Sequence, residues 1–143
     1  MLKKSKRPSA GFTLLELLVV IVIIGLLAAF VAPKYFGQIG KSKTQMARAQ
    51  IEALDKAIDQ YRLDTGTYPT TAQGLVALSA QPAGEANWRG PYLKKGIPMD
   101  PWGKPYIYTS PGADEREFDL ASYGNDGATG GSNEDADVTN YGN

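Results

Sequence analysis

The 143-residue sequence predicts an α+β fold in which one long N-terminal helix carries a small antiparallel sheet. Three observations predict it. Phe12 to Ala32 is a 21-residue run with one charge, Glu16. Ala47, Ile51, Leu54, Ile58 and Tyr61 then recur at spacings of 4, 3, 4 and 3, the period of one helix face. Further on, two β-patterned runs stand among Gly and Pro. A chain of this length supports one hydrophobic core.

The N-terminus comes first. Lys3, Lys4, Lys6 and Arg7 fall in the first eleven residues, with no acid among them. A helix of the length that follows spans roughly 30 Å, the thickness of a bilayer's hydrocarbon core. The β-branched stretch Val19 to Ile24 would suit a buried strand. The whole run is too long for one, since strands average about 5–6 residues. The basic flank places the N-terminus in the cytoplasm and everything after Pro33 outside. A cleaved secretory signal fits poorly, because the run exceeds an h-region and Ala32 is followed by Pro33. An uncleaved signal anchor is the plainer alternative.

From Lys34 to Thr65 the helix becomes amphipathic, with Pro33 a candidate kink at the join. Glu52 and Lys56 form a favourable i,i+4 pair, and Gly66 is the expected stop. Thr71 to Leu78 reads as a short helix, and Asp100-Pro101-Trp102-Gly103 as a turn whose acid is structural. Pro105 to Thr109 and Phe118 to Tyr123 read as strands joined by the polar segment Ser110 to Glu117. The last twenty residues read as a loop. Trp88, Tyr92, Trp102, Tyr106, Tyr108 and Phe118 are expected to build the core rather than a sugar platform, and Lys94-Lys95 a solvated turn.

The absences bound the chemistry. With no Cys and no His there is no disulfide, thiolate nucleophile, Ser–His–Asp triad, or His- or Cys-held metal. No enzyme activity is expected. The 15 basic and 15 acidic residues cancel and point to no nucleic-acid partner. Glu16 lies inside the apolar run, where a carboxylate costs about 2.5–3.5 kcal/mol on insertion scales, and so is a functional candidate. Near the run's start it can also simply snorkel to the headgroups. From Asp114 onward there are eight acids and one base. Asp126, Glu134, Asp135 and Asp137, spaced by Gly, Asn and Ser, offer the hard oxygen donors that calcium prefers, without EF-hand spacing. A solvated acidic tail is the alternative reading of the same composition.

The hexapeptide Gly11-Phe12-Thr13-Leu14-Leu15-Glu16, after a basic leader, resembles the cleavage motif of the type IV pilin-like superfamily. Further blocks resemble the major pseudopilins of type II secretion systems over essentially the whole chain. They are Leu63 to Thr71 with Gln73-Gly74-Leu75, Asn87-Trp88, Gly90 to Lys95, Pro98 to Tyr106, Phe118-Asp119-Leu120, Tyr123 to Gly127, Gly130-Gly131 and Asp135 to Val138. Departures are modest: Tyr123 where Leu is frequent, Asn125 where Ala is usual, and Tyr141 near the usual Trp.

The resemblance implies a leader at 1–11, a transmembrane and filament-core helix at 12–32, and a periplasmic globular domain at 33–143. It implies a prepilin peptidase that cuts between Gly11 and Phe12 and methylates the new N-terminus. Glu16 would then pair with the free α-amino group of a neighbouring subunit. It also implies one calcium ion, held by the side chains of Asp126 and Asp135 and the main-chain oxygens of Tyr123 and Val138. Thr139 is a further candidate, and Asp137 or Glu134 can exchange roles with Asp135. The implied function is a structural subunit of a periplasmic pseudopilus that drives export of folded proteins. Its implied partners are copies of itself, minor pseudopilins, an inner-membrane platform with a cytoplasmic secretion ATPase and, indirectly, an outer-membrane secretin. Before assembly the subunit would sit in the bacterial inner membrane, N-terminus in the cytoplasm. A type IV pilin for adhesion, motility or DNA uptake is the alternative, weakened by the missing C-terminal Cys pair. A membrane-anchored calcium-dependent hydrolase or lectin is disfavoured, since no catalytic carboxylate pair is identifiable.

Overall fold

A computed structural model describes residues 11–142. Of the expected leader, residues 1–10 lie outside the described residues. The element order is α1 (Leu14–Thr65), a 3₁₀ turn (Leu75–Leu78), β1 (Ile107–Thr109), β2 (Asp119–Ser122), a second 3₁₀ turn (Asn133–Asp135) and β3 (Val138–Thr139). The chain forms two compact units, one up to Gln38 and one from Ile39.

In the first unit α1 exposes apolar side chains on every face, and none of the other described residues covers them. Leu14, Ile21, Leu26, Phe30 and Phe36 are all more than half exposed. The helix continues through Pro33. Proline has no N–H, so the carbonyl of Ala29 loses its helical partner there. By length and composition this helix can cross a membrane.

In the second unit the helix buries one stripe: Gly40, Ala47, Ile51, Leu54, Ala57, Ile58 and Tyr61. Gly66, at φ +86°, ends it, its N–H donating to the Arg62 carbonyl at 2.7 Å. The stripe packs against Leu75, Leu78, Tyr106, Tyr108, Phe118, Leu120 and Val138. Trp88, Tyr92 and Trp102 close the edges of this core, as core-forming aromatics should. The Trp88 indole N–H donates to the Ala77 carbonyl (2.8 Å), and the Tyr108 hydroxyl to that of Pro69 (2.8 Å). Both rings thereby bury their apolar bodies with their polar tips satisfied.

The sheet is antiparallel in the order β1-β2-β3. Tyr108 faces Leu120 and Ser122 faces Val138. Three expectations are corrected here. β1 starts at Ile107 rather than Pro105, because proline cannot donate to the ladder. The expected helix at 71–78 is a 3₁₀ turn confined to Leu75–Leu78, since Gly74 at φ +59° interrupts helical geometry. The C-terminal segment is not only loop, for Val138–Thr139 forms a third strand. Asn140 extends that pairing by a rung: its N–H donates to the Leu120 carbonyl at 3.0 Å while its side-chain oxygen accepts from the Leu120 N–H at 2.8 Å.

Candidate assembly and metal-binding sites

Glu16 stands in the first turn of α1. Its Oε2 accepts from the Thr13 N–H (2.8 Å) and the Thr13 hydroxyl (3.0 Å), and its own N–H donates to Thr13 Oγ1 (3.2 Å). This is a capping box, in which two otherwise orphaned helix-end donors are satisfied reciprocally. The Thr-x-x-Glu spacing is legible in Thr13-Leu14-Leu15-Glu16, but the apolar run draws the reading toward the membrane instead. Gly11 and Phe12 precede the helix and are exposed. A Cβ placed on Gly11 would meet none of the described residues within 4 Å.

The second candidate site lies where β2 ends and β3 begins. Ser122 pairs with Val138, which puts the next residue, Tyr123, beside the return strand. The Tyr123 carbonyl accepts from the Gly127 N–H at 3.1 Å, closing a turn over 123–127. The Asn125 N–H donates to the Glu134 carbonyl at 2.8 Å, and the Asn125 amide to Asp135 Oδ1 at 3.4 Å. Tyr123, Asp126, Asp135 and Val138 therefore belong to one pair of apposed segments. Thr139 is apart from them in its side chain: its hydroxyl donates to the Gly142 carbonyl, and the residue lines a cleft with Arg48, Ile51 and Asp55.

The individual acids differ. Asp126 is exposed and accepts from the Ala128 N–H at 3.0 Å. Asp137 Oδ2 accepts from the Gly130 N–H at 3.0 Å, whereas its Oδ1 is buried with no hydrogen-bond partner among the described residues. Glu134 points elsewhere: Oε2 accepts from the Trp102 indole at 3.4 Å, and the side chain lies over Gly40. A Cβ at Gly40 would stand 2.5 Å from Glu134 Cγ, so only glycine lets Glu134 seat there undisturbed.

Two glycines make the apposition possible. A Cβ at Gly124 (φ +63°) would meet the Glu134 carbonyl oxygen at 2.5 Å, and one at Gly131 (φ +85°) the Asp135 carbonyl oxygen at 2.5 Å. Main chain thus packs on main chain, and carbonyls are brought among carboxylates. Among the described residues no three or more Asp, Glu, His or Cys side chains gather as a metal cluster. A cation here needs main-chain oxygens as well. The carboxylates, the clustered carbonyls and the orphaned Asp137 oxygen fit a hard, oxygen-seeking ion such as calcium.

Asp100, Ser122 and Lys104 carry no ligand signature in sequence, yet they hold this site from beneath. Asp100 is 4% exposed. Its Oδ1 accepts from the Trp102 N–H (3.1 Å) and the Lys104 N–H (2.8 Å), the pattern of a turn acid. Oδ2 accepts from the Ser122 hydroxyl at 2.6 Å, and Ser122 Oγ in turn accepts from the Gly124 N–H at 3.3 Å.

Comparisons with known proteins agree with this architecture. The family described as Type II secretion system (T2SS), protein G, matches residues 34–141, and the Prokaryotic N-terminal methylation motif matches residues 6–32. The chain is 46% identical to the type II secretion system core protein G of Pseudomonas aeruginosa, over 96% of this chain and 99% of that one. It is likewise 46% identical to that of Vibrio cholerae, over 96% and 95% of the two chains. Among solved structures it resembles the major pseudopilin from the type 2 secretion system of enterohaemorrhagic Escherichia coli. That match has a TM-score of 0.61 and 35% identity, over 73% of this chain and 91% of that one.

Proposed function

The chain belongs to the type II secretion system protein G family and is a major pseudopilin, and from that premise we propose how its two sites serve assembly. A prepilin peptidase cuts between Gly11 and Phe12 and methylates the Phe12 amine. The mature subunit waits in the inner membrane with its N-terminus at the cytoplasmic face. It then enters a homopolymer built on an inner-membrane platform and driven by a cytoplasmic ATPase, with minor pseudopilins and an outer-membrane secretin as further partners. The chain carries no P-loop, so the energy comes from outside it.

One observation carries this reading. The described part of the helix before Gln38 exposes apolar side chains on all faces. Such a surface is stable in lipid or among copies of itself, and polymerisation exchanges one environment for the other. Glu16 gives that exchange a register. With Phe12 as the new N-terminus, a free amine lies one helical turn from a carboxylate. The ammonium of one subunit pairs with the Glu16 carboxylate of the next, so that no unpaired charge is left in the apolar core. The box with Thr13 holds the carboxylate at the helix start until then.

The C-terminal loop serves the globular part. When bound, calcium supplies the positive charge that lets the acidic segment close without a disulfide. Asp126 and Asp135, or Asp137 with its unpartnered oxygen, would hold it together with the carbonyls of Tyr123 and Val138 and with Thr139 a further donor. Glu134 is the weakest of the alternatives because it is engaged by Trp102 and seated on Gly40.

Mass spectrometry of the chain after co-expression with a prepilin peptidase tests the processing step. The expected product begins at Phe12 and carries one added methyl group. A product that keeps residues 1–11, or is cut elsewhere, contradicts the proposal.

A further inference from the structure

We propose that Lys104 is a positioning residue for the C-terminal loop, an internal cation that forms the turn over 123–127 before any metal ion arrives. The inference rests on the calcium reading above only for its calcium-binding readout. Lys104 Nζ donates to the Gly124 carbonyl at 3.2 Å and to the adjacent Asn125 carbonyl as well. Two successive carbonyls turned toward one point repel each other, and an ammonium placed between them relieves that repulsion.

The lysine is itself held at both ends. Its backbone N–H donates to Asp100 Oδ1 at 2.8 Å, and Asp100 is tied through Ser122 to the Gly124 N–H. Its aliphatic stem lies beneath Gly127, where a Cβ would stand 3.1 to 3.3 Å from Nζ, Cε and Cδ. At φ +72° a side chain at 127 would be strained, and its Cβ would press the lysine stem aside by a few tenths of an ångström. The Asp100 turn, the end of β2 and the acidic loop are thereby joined at one side chain, 20 residues away from Gly124 in sequence.

The consequence is directional. Lys104 engages the Gly124 and Asn125 carbonyls, whereas the Tyr123 carbonyl and the Asp126 carboxylate accept from the Gly127 and Ala128 N–H within the turn and keep lone pairs for a cation. A turn already formed costs a cation less ordering on binding. Outer groups that orient ligands typically contribute about ten- to a hundredfold to metal affinity. A lysine that merely repelled the cation would have the opposite sign.

The test uses the full-length chain in detergent, as wild type, Lys104→Met and Lys104→Arg. Calcium binding is followed by calorimetry, and loop order by limited proteolysis with and without chelator. Lys104→Met is expected to weaken calcium binding about tenfold or more and to speed cleavage within 123–137 in chelator. Saturating calcium should restore protection, and Lys104→Arg should retain most of both. Unchanged or tighter calcium binding together with unchanged cleavage in chelator overturns the proposal. If wild type binds no calcium, the calcium reading fails separately, and the chelator cleavage rates still decide whether Lys104 forms the turn. Should Lys104→Met lose its helical circular dichroism, Lys104→Gln, which keeps a donor without the charge, takes its place under the same criteria.

Discussion

Replacing Ser122 by Ala probes the support beneath the acidic loop. Ser122 is fully buried at the end of β2, and its hydroxyl donates to Asp100 Oδ2 at 2.6 Å while accepting from the Gly124 N–H at 3.3 Å. A hydrogen bond to a charged group contributes about 1.5–3 kcal/mol, and its loss strands the partner in a site that water does not reach. Here two partners are stranded, one oxygen of a carboxylate that is 4% exposed and one backbone N–H. The volume removed is a single hydroxyl, so a cavity adds little. The expected destabilisation is about 2–3 kcal/mol, a fall in melting temperature on the order of 10 °C for a domain of this size. Ser79→Ala is the matched control, because Ser79 Oγ is buried but has no hydrogen-bond partner among the described residues. That change should be neutral or slightly stabilising. Both are read by near-ultraviolet circular dichroism melts in chelator, so that no cation contributes. If Ser122→Ala melts within about 2 °C of wild type, or no lower than Ser79→Ala, the network does not support the loop as argued.

Other outcomes follow from the same contacts. Calcium should raise the melting temperature and protease resistance of the wild-type chain, and identical melting in calcium and in chelator would remove the metal from the account. Asp119 is held below the ordinary aspartate range chiefly by Arg116, whose Nε and Nη2 donate to it at 2.6 and 3.2 Å, and further by the Ala113 N–H. A depressed carboxyl stabilises the fold above its unfolded pKa of about 4 and loses that contribution as pH falls through its lower folded value. The stability gap between wild type and Asp119→Asn should therefore be present at neutral pH and close in acid; a gap that widens in acid contradicts the assignment. Thr13→Ala removes half of the capping box and should cost about 1 kcal/mol of local helix stability. Hydrogen exchange at the first turn of α1 should rise while filament register, if the Glu16 charge sets it as proposed, is kept. Loss of assembly in Thr13→Ala with normal processing would show that the cap, not the charge, is what matters.

Patterns with a fixed period were legible in the sequence. The stripe Ala47, Ile51, Leu54, Ile58 and Tyr61 is the buried face of α1, and Gly66 ends it, because both follow from helical geometry and a single positive φ. Asp100 as a turn acid and the aromatics as core were equally readable, since each is a local rule. β3 was not: two β-branched residues in a Gly- and Asp-rich tail carry no alternation, and the strand exists only because Ala121 and Ser122 are there to pair with it. The supports of the acidic loop were hidden for the same reason. Nothing near Lys104 or Ser122 announces a partner about 20 residues away. Residue spacing suggested four acids for one site, whereas the fold turns Glu134 onto Gly40 and leaves an oxygen of Asp137 without a partner. That division depends on φ at Gly124 and Gly131, which bring main chain against main chain.

We propose that this chain polymerises through its N-terminal helix with Glu16 setting register. Electron microscopy of cells co-producing the chain with its prepilin peptidase and assembly platform tests it most directly, comparing wild type with Glu16→Ala at equal levels of processed protein. Thin filaments are expected from wild type and few or none from Glu16→Ala, although the mutant is cut before Phe12 as usual. Filaments of normal yield from Glu16→Ala, or none from fully processed wild type, would contradict it.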